Sequence, residues 1–237
     1  FGRGDAVSLS IGDINQRLKR IIKYGFKEIT LTGIDLTSYG EDLLGKPRLG
    51  NLVKRILYDH PSLKRLRLSS IDPGEIDEEL FELMCFEDRL LPHFHLSIQS
   101  GDNLILKRMK RRHTREDVIK LCQNIKKVRE NVTFGADIIV GFPTENELNF
   151  ANTLNLIEIC QISNVHIFPF SPKEKTPAAK MPQVYEKIKR KRTKEIREKS
   201  NEILRNLMTD KIGKKILILF ESENLSYSDD FFKVSTN

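Results

Sequence analysis

Five short polar clusters hold most of the chemistry this chain can offer: Thr32-Gly-Ile-Asp35, Ser69-Ser-Ile-Asp72-Pro73, Gln99-Ser-Gly101, Gly141-Phe-Pro-Thr-Glu145 and Phe168-Pro-Phe-Ser171. Their glycines, small hydroxyls and amide permit close backbone approach and hydrogen bonds to a polar ligand with a flat apolar part, such as a nucleoside. No Cys/His or Ser/His arrangement supplies a nucleophile and its base. Glycine-rich phosphate signatures are also absent. His93 and His95 share one face of a strand and could hold a metal, but no third ligand is evident, so a structural role is expected. Glu75, Asp77, Glu78 and Glu79 read as carboxylates favouring a helix N-terminus.

Each cluster closes an apolar run: Glu28–Thr32, Arg65–Ser69, Phe94–Ile98, Phe134–Val140 and Val165–Phe168. Helical periods lie between these runs. Ile14, Leu18, Ile21 and Ile22 mark one, Leu52, Val53, Ile56 and Leu57 another, and Ile76, Leu80, Leu83 and Met84 a third. Further helices are expected over about 114–130 and 145–160, with Asp13 and Thr114 as N-caps. Such strand–helix alternation predicts an α/β fold with parallel strands, right-handed crossovers and ligands at the strand ends. The chain opens on a helix with no strand before it and lacks an initiator Met, which reads as a fragment of an open or partial barrel missing its first strand. The stretch from His95 to Thr114 is the most informative, because strand, polar turn, helix and the basic cluster Lys107–Arg112 follow in direct succession.

Four prolines between Pro169 and Pro182 predict an extended connection, then a long charged helix over about 183–211. After Gly213, Lys215–Phe220 reads as a strand opening a small β unit that stops short. The expected domains are 1–172, the barrel core; 173–212, a basic linker and helix; and 213–237, a truncated β segment.

The net charge of +7 sits mainly in residues 173–215, with fifteen Lys/Arg against six Asp/Glu. This segment is either a solvated helix face or an arm contacting nucleic-acid phosphates. Lys187, Lys189, Arg190, Lys191 and Arg192 are its candidate RNA-binding residues. Cys85, Cys122 and Cys160 lie 37 and 38 residues apart and fit no metal knuckle or redox pair, so they are expected as buried hydrophobes in a reducing cytoplasm. No apolar run is long enough for a membrane span.

The motifs Leu31–Gly40, Leu68–Glu75, His95–Gly101, Arg108–Thr114, Asp137–Glu145 and Phe168–Pro172 together resemble the radical S-adenosylmethionine tRNA methylthiotransferases. The match looks most like the branch acting on threonylcarbamoyl-adenosine beside the anticodon, with the isopentenyl-adenosine branch as its neighbour. It covers about residues 2–182. The resemblance implies a partial (β/α)6, TIM-like barrel, S-adenosylmethionine across the strand ends, a [4Fe-4S] cluster on a CxxxCxxC loop and a 5'-deoxyadenosyl radical. It also implies a second cluster on an N-terminal domain and a C-terminal TRAM β-barrel that helps bind tRNA. Residue by residue, Gly33, Ile34 and Asp35 fall where family backbone meets the methionyl amine. Ser97 and Gln99 fall near the ribose, and Ile139, Gly141 and Phe168 near the adenine. Ile139 and Phe168 also fit ordinary core, and Gly33 and Gly141 plain tight turns. Arg108 and Arg111 are assigned to the methionyl carboxylate or to an RNA phosphate, with a solvated surface as their alternative.

The departures are the absent CxxxCxxC loop, which would precede Phe1, and Lys175, which stands where the family usually has Gly. The reading is therefore a methylthiotransferase fragment, cytoplasmic, with S-adenosylmethionine and tRNA as partners, and inactive alone for want of cluster cysteines. The sulfur and electron donors are unassigned. One alternative is a catalytically dead tRNA-binding remnant. Another is an aldolase-like barrel, which would want a Lys or a carboxylate pair at the strand ends.

Overall fold

The computed structural model describes residues 6–222 and 224–235. Helices and strands alternate from the start: α1 (Ile11–Lys23), β1 (Glu28–Leu31), α2 (Leu49–Asp59), β2 (Arg65–Leu68), α3 (Glu78–Phe86), β3 (His93–Gln99), α4 (Asn103–Arg108), α5 (Arg115–Val128), β4 (Thr133–Val140), α6 (Glu147–Ile159) and β5 (Ile162–Pro169). A long helix, α7 (Glu186–Thr209), precedes three short strands, β6 (Ile218–Ser222), β7 (Leu225–Ser228) and β8 (Lys233–Val234).

Strands β1 and β2 pair in parallel, as do β3, β4 and β5 in that order. Parallel bridges Leu66–Leu90 and Ile71–Leu96 carry the pairing from β2 across to β3. The expected parallel α/β arrangement is thus what the chain forms. β6, β7 and β8 make a separate antiparallel meander. Its first strand starts at Ile218, three residues beyond the expected start at Lys215.

Capping explains where several helices begin. Thr114 accepts from the Asp117 N–H while Asp117 accepts from the Thr114 N–H, a reciprocal box that starts α5. For α1 the cap is Ser10 and not Asp13 as expected. The Ser10 hydroxyl accepts from the Asp13 N–H at 3.1 Å and donates to the Asp13 carboxylate at 2.6 Å, which places Asp13 in the first turn. Asp77 caps α3 and Glu78 and Glu79 fill its first turn, as their charge suggested.

Towards the C-terminal ends of β3 and β4, burial alternates with period two. Phe94, Leu96, Ile98, Phe134, Ala136, Ile138 and Val140 are buried on the face packed against the helices. Opposite them, His95, Ser97, Gln99, Asp137, Ile139, His166 and Phe168 lie on a more exposed, largely polar face. Cys85, Cys122 and Cys160 are free and buried. Helix α7 packs against the sheet, with Ile196 and Ile203 inside the main core. No helix among the described residues is long and apolar enough to cross a membrane.

Candidate functional site

The polar clusters after β1 to β5 project from one end of the parallel strands, and three non-glycine residues there take left-handed backbone. Gln99, Thr144 and Lys175 take positive φ of 69°, 71° and 65°. Left-handed backbone costs a non-glycine residue roughly 1–2 kcal/mol, and such residues cluster at ligand clamps. Lys175 therefore keeps the turn that a glycine would favour, although its side chain disfavours it. Gly141, with φ 71°, closes against the Lys189 side chain; a Cβ there would meet Lys189 Cγ at 2.5 Å.

Gly33, Ile34 and Asp35 are exposed on the loop after β1, Ile34 at 82%. The Asp35 carboxylate accepts hydroxyl bonds from Thr37 at 3.2 Å and Ser38 at 2.8 Å, which shape that loop. Ser97 and Gln99 lie half-buried on the open face of β3. Ile139 and Phe168 are register partners on β4 and β5. Phe168 is 51% exposed, so it is not ordinary core but an apolar ledge open to solvent.

The two arginines are held by the fold. Arg108 donates to the Thr144 hydroxyl, tying the end of α4 to the turn after β4. Arg111 donates to the Ser97 carbonyl and pairs with Asp72 at 3.2 Å, while its buried Nε has no partner. Burial alone would raise the Asp72 carboxyl, but hydrogen bonds from His113 and the Gly74 N–H, with the Arg111 charge, hold it below the usual range. His113 also reaches the Ile98 carbonyl at 3.1 Å. Sequence reasoning missed this Asp72–Arg111–His113 network, although all three residues fall within the motifs it singled out. The buried Ser69 hydroxyl on the same rim is likewise unpartnered.

The structure corrects the RNA-binding set. Arg192 is 2% exposed, with Glu145 Oε1 at 2.7 Å and Glu147 at 2.9 Å. Glu145 in turn accepts from the Gly141 N–H at 3.0 Å. Burial pushes the Glu145 carboxyl up, and the Gly141 N–H and Arg192 offset this only in part. Lys189 is 3% exposed and donates to the Phe170 carbonyl at 2.8 Å and to Glu186 at 2.7 Å. Both side chains brace the strand-end loops and cannot face a phosphate. Lys187, Arg190 and Lys191 are exposed.

The two histidines that share a strand face, for which a structural role is expected, are separated in their surroundings. His93 is buried and bonded to the Thr133 hydroxyl at 2.8 Å, whereas His95 faces Asp137 and His166. The three cysteines do not converge on one point: Cys85 sits on α3, while Cys122 and Cys160 contact each other between α5 and α6. That arrangement cannot ligate an iron–sulfur cube, which needs several thiolates converging on one point.

Parallel strands with an open polar rim, small residues that allow close approach and an apolar ledge are what this α/β scaffold offers at its strand ends. Residues 1–157 match the radical SAM superfamily, and the chain belongs to it. The chain is 47% identical over 234 residues to the threonylcarbamoyladenosine tRNA methylthiotransferase MtaB of Rickettsia prowazekii, covering 99% of this chain and 56% of that protein. It is 34% identical to the tRNA-2-methylthio-N(6)-dimethylallyladenosine synthase of Acetivibrio thermocellus, covering 93% of this chain and 46% of that protein. The chain thus spans about half the length of these relatives. Among solved structures, the radical S-adenosylmethionine methyltransferase TsrM from Kitasatospora setae, with cobalamin and a [4Fe-4S] cluster bound, has a similar fold. Its TM-score is 0.57 at 14% identity, over 72% of this chain and 33% of that one.

Proposed function

We propose that this chain is the central portion of a tRNA methylthiotransferase acting on threonylcarbamoyl-adenosine, and that its strand-end rim binds S-adenosylmethionine. The observation that carries this reading is the 47% identity to the Rickettsia prowazekii enzyme, which extends over nearly the whole chain. Parallel pairing within β1–β2 and within β3–β5, joined by the isolated bridges Leu66–Leu90 and Ile71–Leu96, supports a partial (β/α)6 barrel. In this reading residues 1–172 form the barrel core, 173–212 the linker and α7, and 213–237 the start of a TRAM-like unit.

S-adenosylmethionine supplies the radical chemistry of the family when bound. This chain's own residues hold it. The Gly33–Asp35 backbone would meet the methionyl amine, and Ser97 and Gln99 the ribose hydroxyls. Ile139 and Phe168 would stack or pack against the adenine, with Gly141 allowing close approach. Arg108 reaches the rim and would meet a carboxylate or phosphate. Arg111 acts as a positioning residue, because its contacts to Asp72 and Ser97 fix the β3 end. Two unpartnered polar atoms on this rim, Ser69 Oγ and Arg111 Nε, fit a site that a polar ligand completes. The cysteines do not fit a [4Fe-4S] cluster, so no step is assigned to one on this polypeptide.

Calorimetric titration with S-adenosylmethionine tests the reading. The chain should bind it, and Gln99→Ala or Ser97→Ala should weaken binding by about tenfold, the equivalent of losing one good hydrogen bond. Absence of binding by the unaltered chain overturns the assignment. Incubation with reductant should release no 5'-deoxyadenosine.

A further inference from the structure

Among the described residues, one group of three metal-type donors meets on the open face, one same-face step below the rim. His95 comes from β3, Asp137 from β4 and His166 from β5. His95 Nε2 lies 3.0 Å and His166 Nδ1 3.3 Å from the same oxygen, Asp137 Oδ1. All three donor atoms lie within 4.8 Å of one another.

Two features of the fold build this meeting. Gly135 is the register partner of His95, and a Cβ there would stand 2.4 Å from His95 Nδ1. Only a residue without a side chain lets the His95 imidazole lean across β4 towards Asp137. Next, the Ser70 hydroxyl donates to Asp137 Oδ2 at 3.2 Å, which turns the other oxygen, Oδ1, to the imidazoles. Asp137 and His166 are themselves register partners, so their side chains leave the sheet side by side.

From this geometry we infer that His95 Nε2, Asp137 Oδ1 and His166 Nδ1 form a binding site for a divalent transition-metal ion. Two imidazoles and one carboxylate with open positions suit ions such as Zn(II), Co(II) or Fe(II). Donor atoms about 2.1 Å from an ion and at right angles to each other are about 3.0 Å apart, close to the two separations seen here. The Ser70 bond is the outer support that orients a ligating carboxylate. His95 and Asp137 are largely enclosed, with side chains 11% and 16% exposed, while His166 is 58% exposed. The ion would therefore be anchored on its inner side and open on the His166 side, where an oxygen ligand completes its coordination. Burial alone would raise the Asp137 carboxyl. His95, His166 and Ser70 together hold it below the usual range, so it is ionised as a ligand must be. The site lies roughly 7 Å along the strands from Ile139 and Phe168, two residues away on each strand. It is independent of the S-adenosylmethionine assignment.

Cobalt titration of the chelator-treated chain tests this, read by visible d–d absorption and by calorimetry. One Co(II) per chain is expected, displaced by Zn(II), without a thiolate charge-transfer band. His166→Gln, at the exposed ligand, should leave the far-UV circular dichroism unchanged and weaken cobalt binding at least about tenfold. Asp137→Asn should abolish it, and Ser70→Ala should weaken it by about tenfold. Failure to take up one equivalent overturns the proposal. So does uptake that His166→Gln leaves unchanged, or a thiolate band that moves the ion to cysteine. Should Asp137→Asn fail to fold, the His166 and Ser70 variants still decide.

Discussion

The two ends of the same parallel strands meet opposite fates. At their N-terminal end the open face is covered in part by the C-terminal tail. Arg67 is 5% exposed, pairs with Glu28 at 2.6 Å and donates to the carbonyls of Ser228 and Asp229, both at 2.9 Å. Phe231 stacks on His93 and lies under the Arg67 guanidinium, and Thr133 donates to the Asp230 carbonyl at 2.7 Å. At their C-terminal end the same face stays open, with Phe168 and Ile34 in solvent. Apart from Arg65 Nη2, the polar groups named at the closed end are partnered by the protein itself, so they contribute to stability. Those at the open end retain unpartnered atoms and are free to meet a ligand.

Breaking the closed end should have the largest effect. Arg67→Met leaves Glu28 and two tail carbonyls without their buried partner and should cost about 3–5 kcal/mol in urea unfolding. A cost below about 1 kcal/mol would mean that the tail does not cover this end. The rim variant Ser97→Ala should stay within about 0.5 kcal/mol of the parent.

The closed end also carries a pH signature. Burial, with the charges of His95, Arg67 and His166, pushes His93 down to about 3. The unfolded chain therefore binds a proton that the folded one refuses between about pH 6.5 and pH 3. His93 imposes no penalty above about pH 6.5, and stability falls as pH drops through that window, by up to about 1.4 kcal/mol per pH unit. His93→Gln should flatten the slope in unfolding curves measured from pH 7 to pH 4. An unchanged slope would show that His93 is solvated.

A smaller gain is expected at the open end. Lys175→Gly removes the left-handed strain of a residue on an exposed loop and should stabilise the chain by about 0.5–1 kcal/mol in thermal unfolding. The basic residues of α7 repeat the comparison on a smaller scale. Replacing exposed Lys187, Arg190 and Lys191 by Gln should change stability by less than about 0.5 kcal/mol. If these residues meet tRNA phosphates, the same change should lower the log–log salt slope of tRNA binding by about one per side chain. An unaltered slope makes that face plainly solvated.

Most of the fold was legible because local periodicity encodes it. Alternation at Phe94, Leu96 and Ile98 marks a strand with one buried face wherever it sits, and Thr114 with Asp117 starts a helix from four residues of local geometry. The candidate rim was legible for the same reason, since polar residues that follow each apolar run fall at the strand ends. The metal-type cluster was not. His95 suggested His93 as its partner because both lie on one strand, yet its neighbours come from positions 137 and 166. Nor does composition separate Arg192 from Arg190, for a basic helix looks alike all round until its packed side is known.

By itself, then, the sequence determined a parallel α/β chain of the radical SAM superfamily, with small polar residues at its strand ends and no cysteine spacing of the cluster-binding kind. Tertiary structure alone decided that Arg67 and His93 lie under a tail some 140 to 160 residues distant, that Arg192 and Lys189 are braces, and that His95, Asp137 and His166 converge. The physical reason is that periodicity and caps act within a few residues and so leave a record in the local sequence. Which charges lose water is fixed instead by long-range partners, and these are chosen only when the sheet and its tail come together.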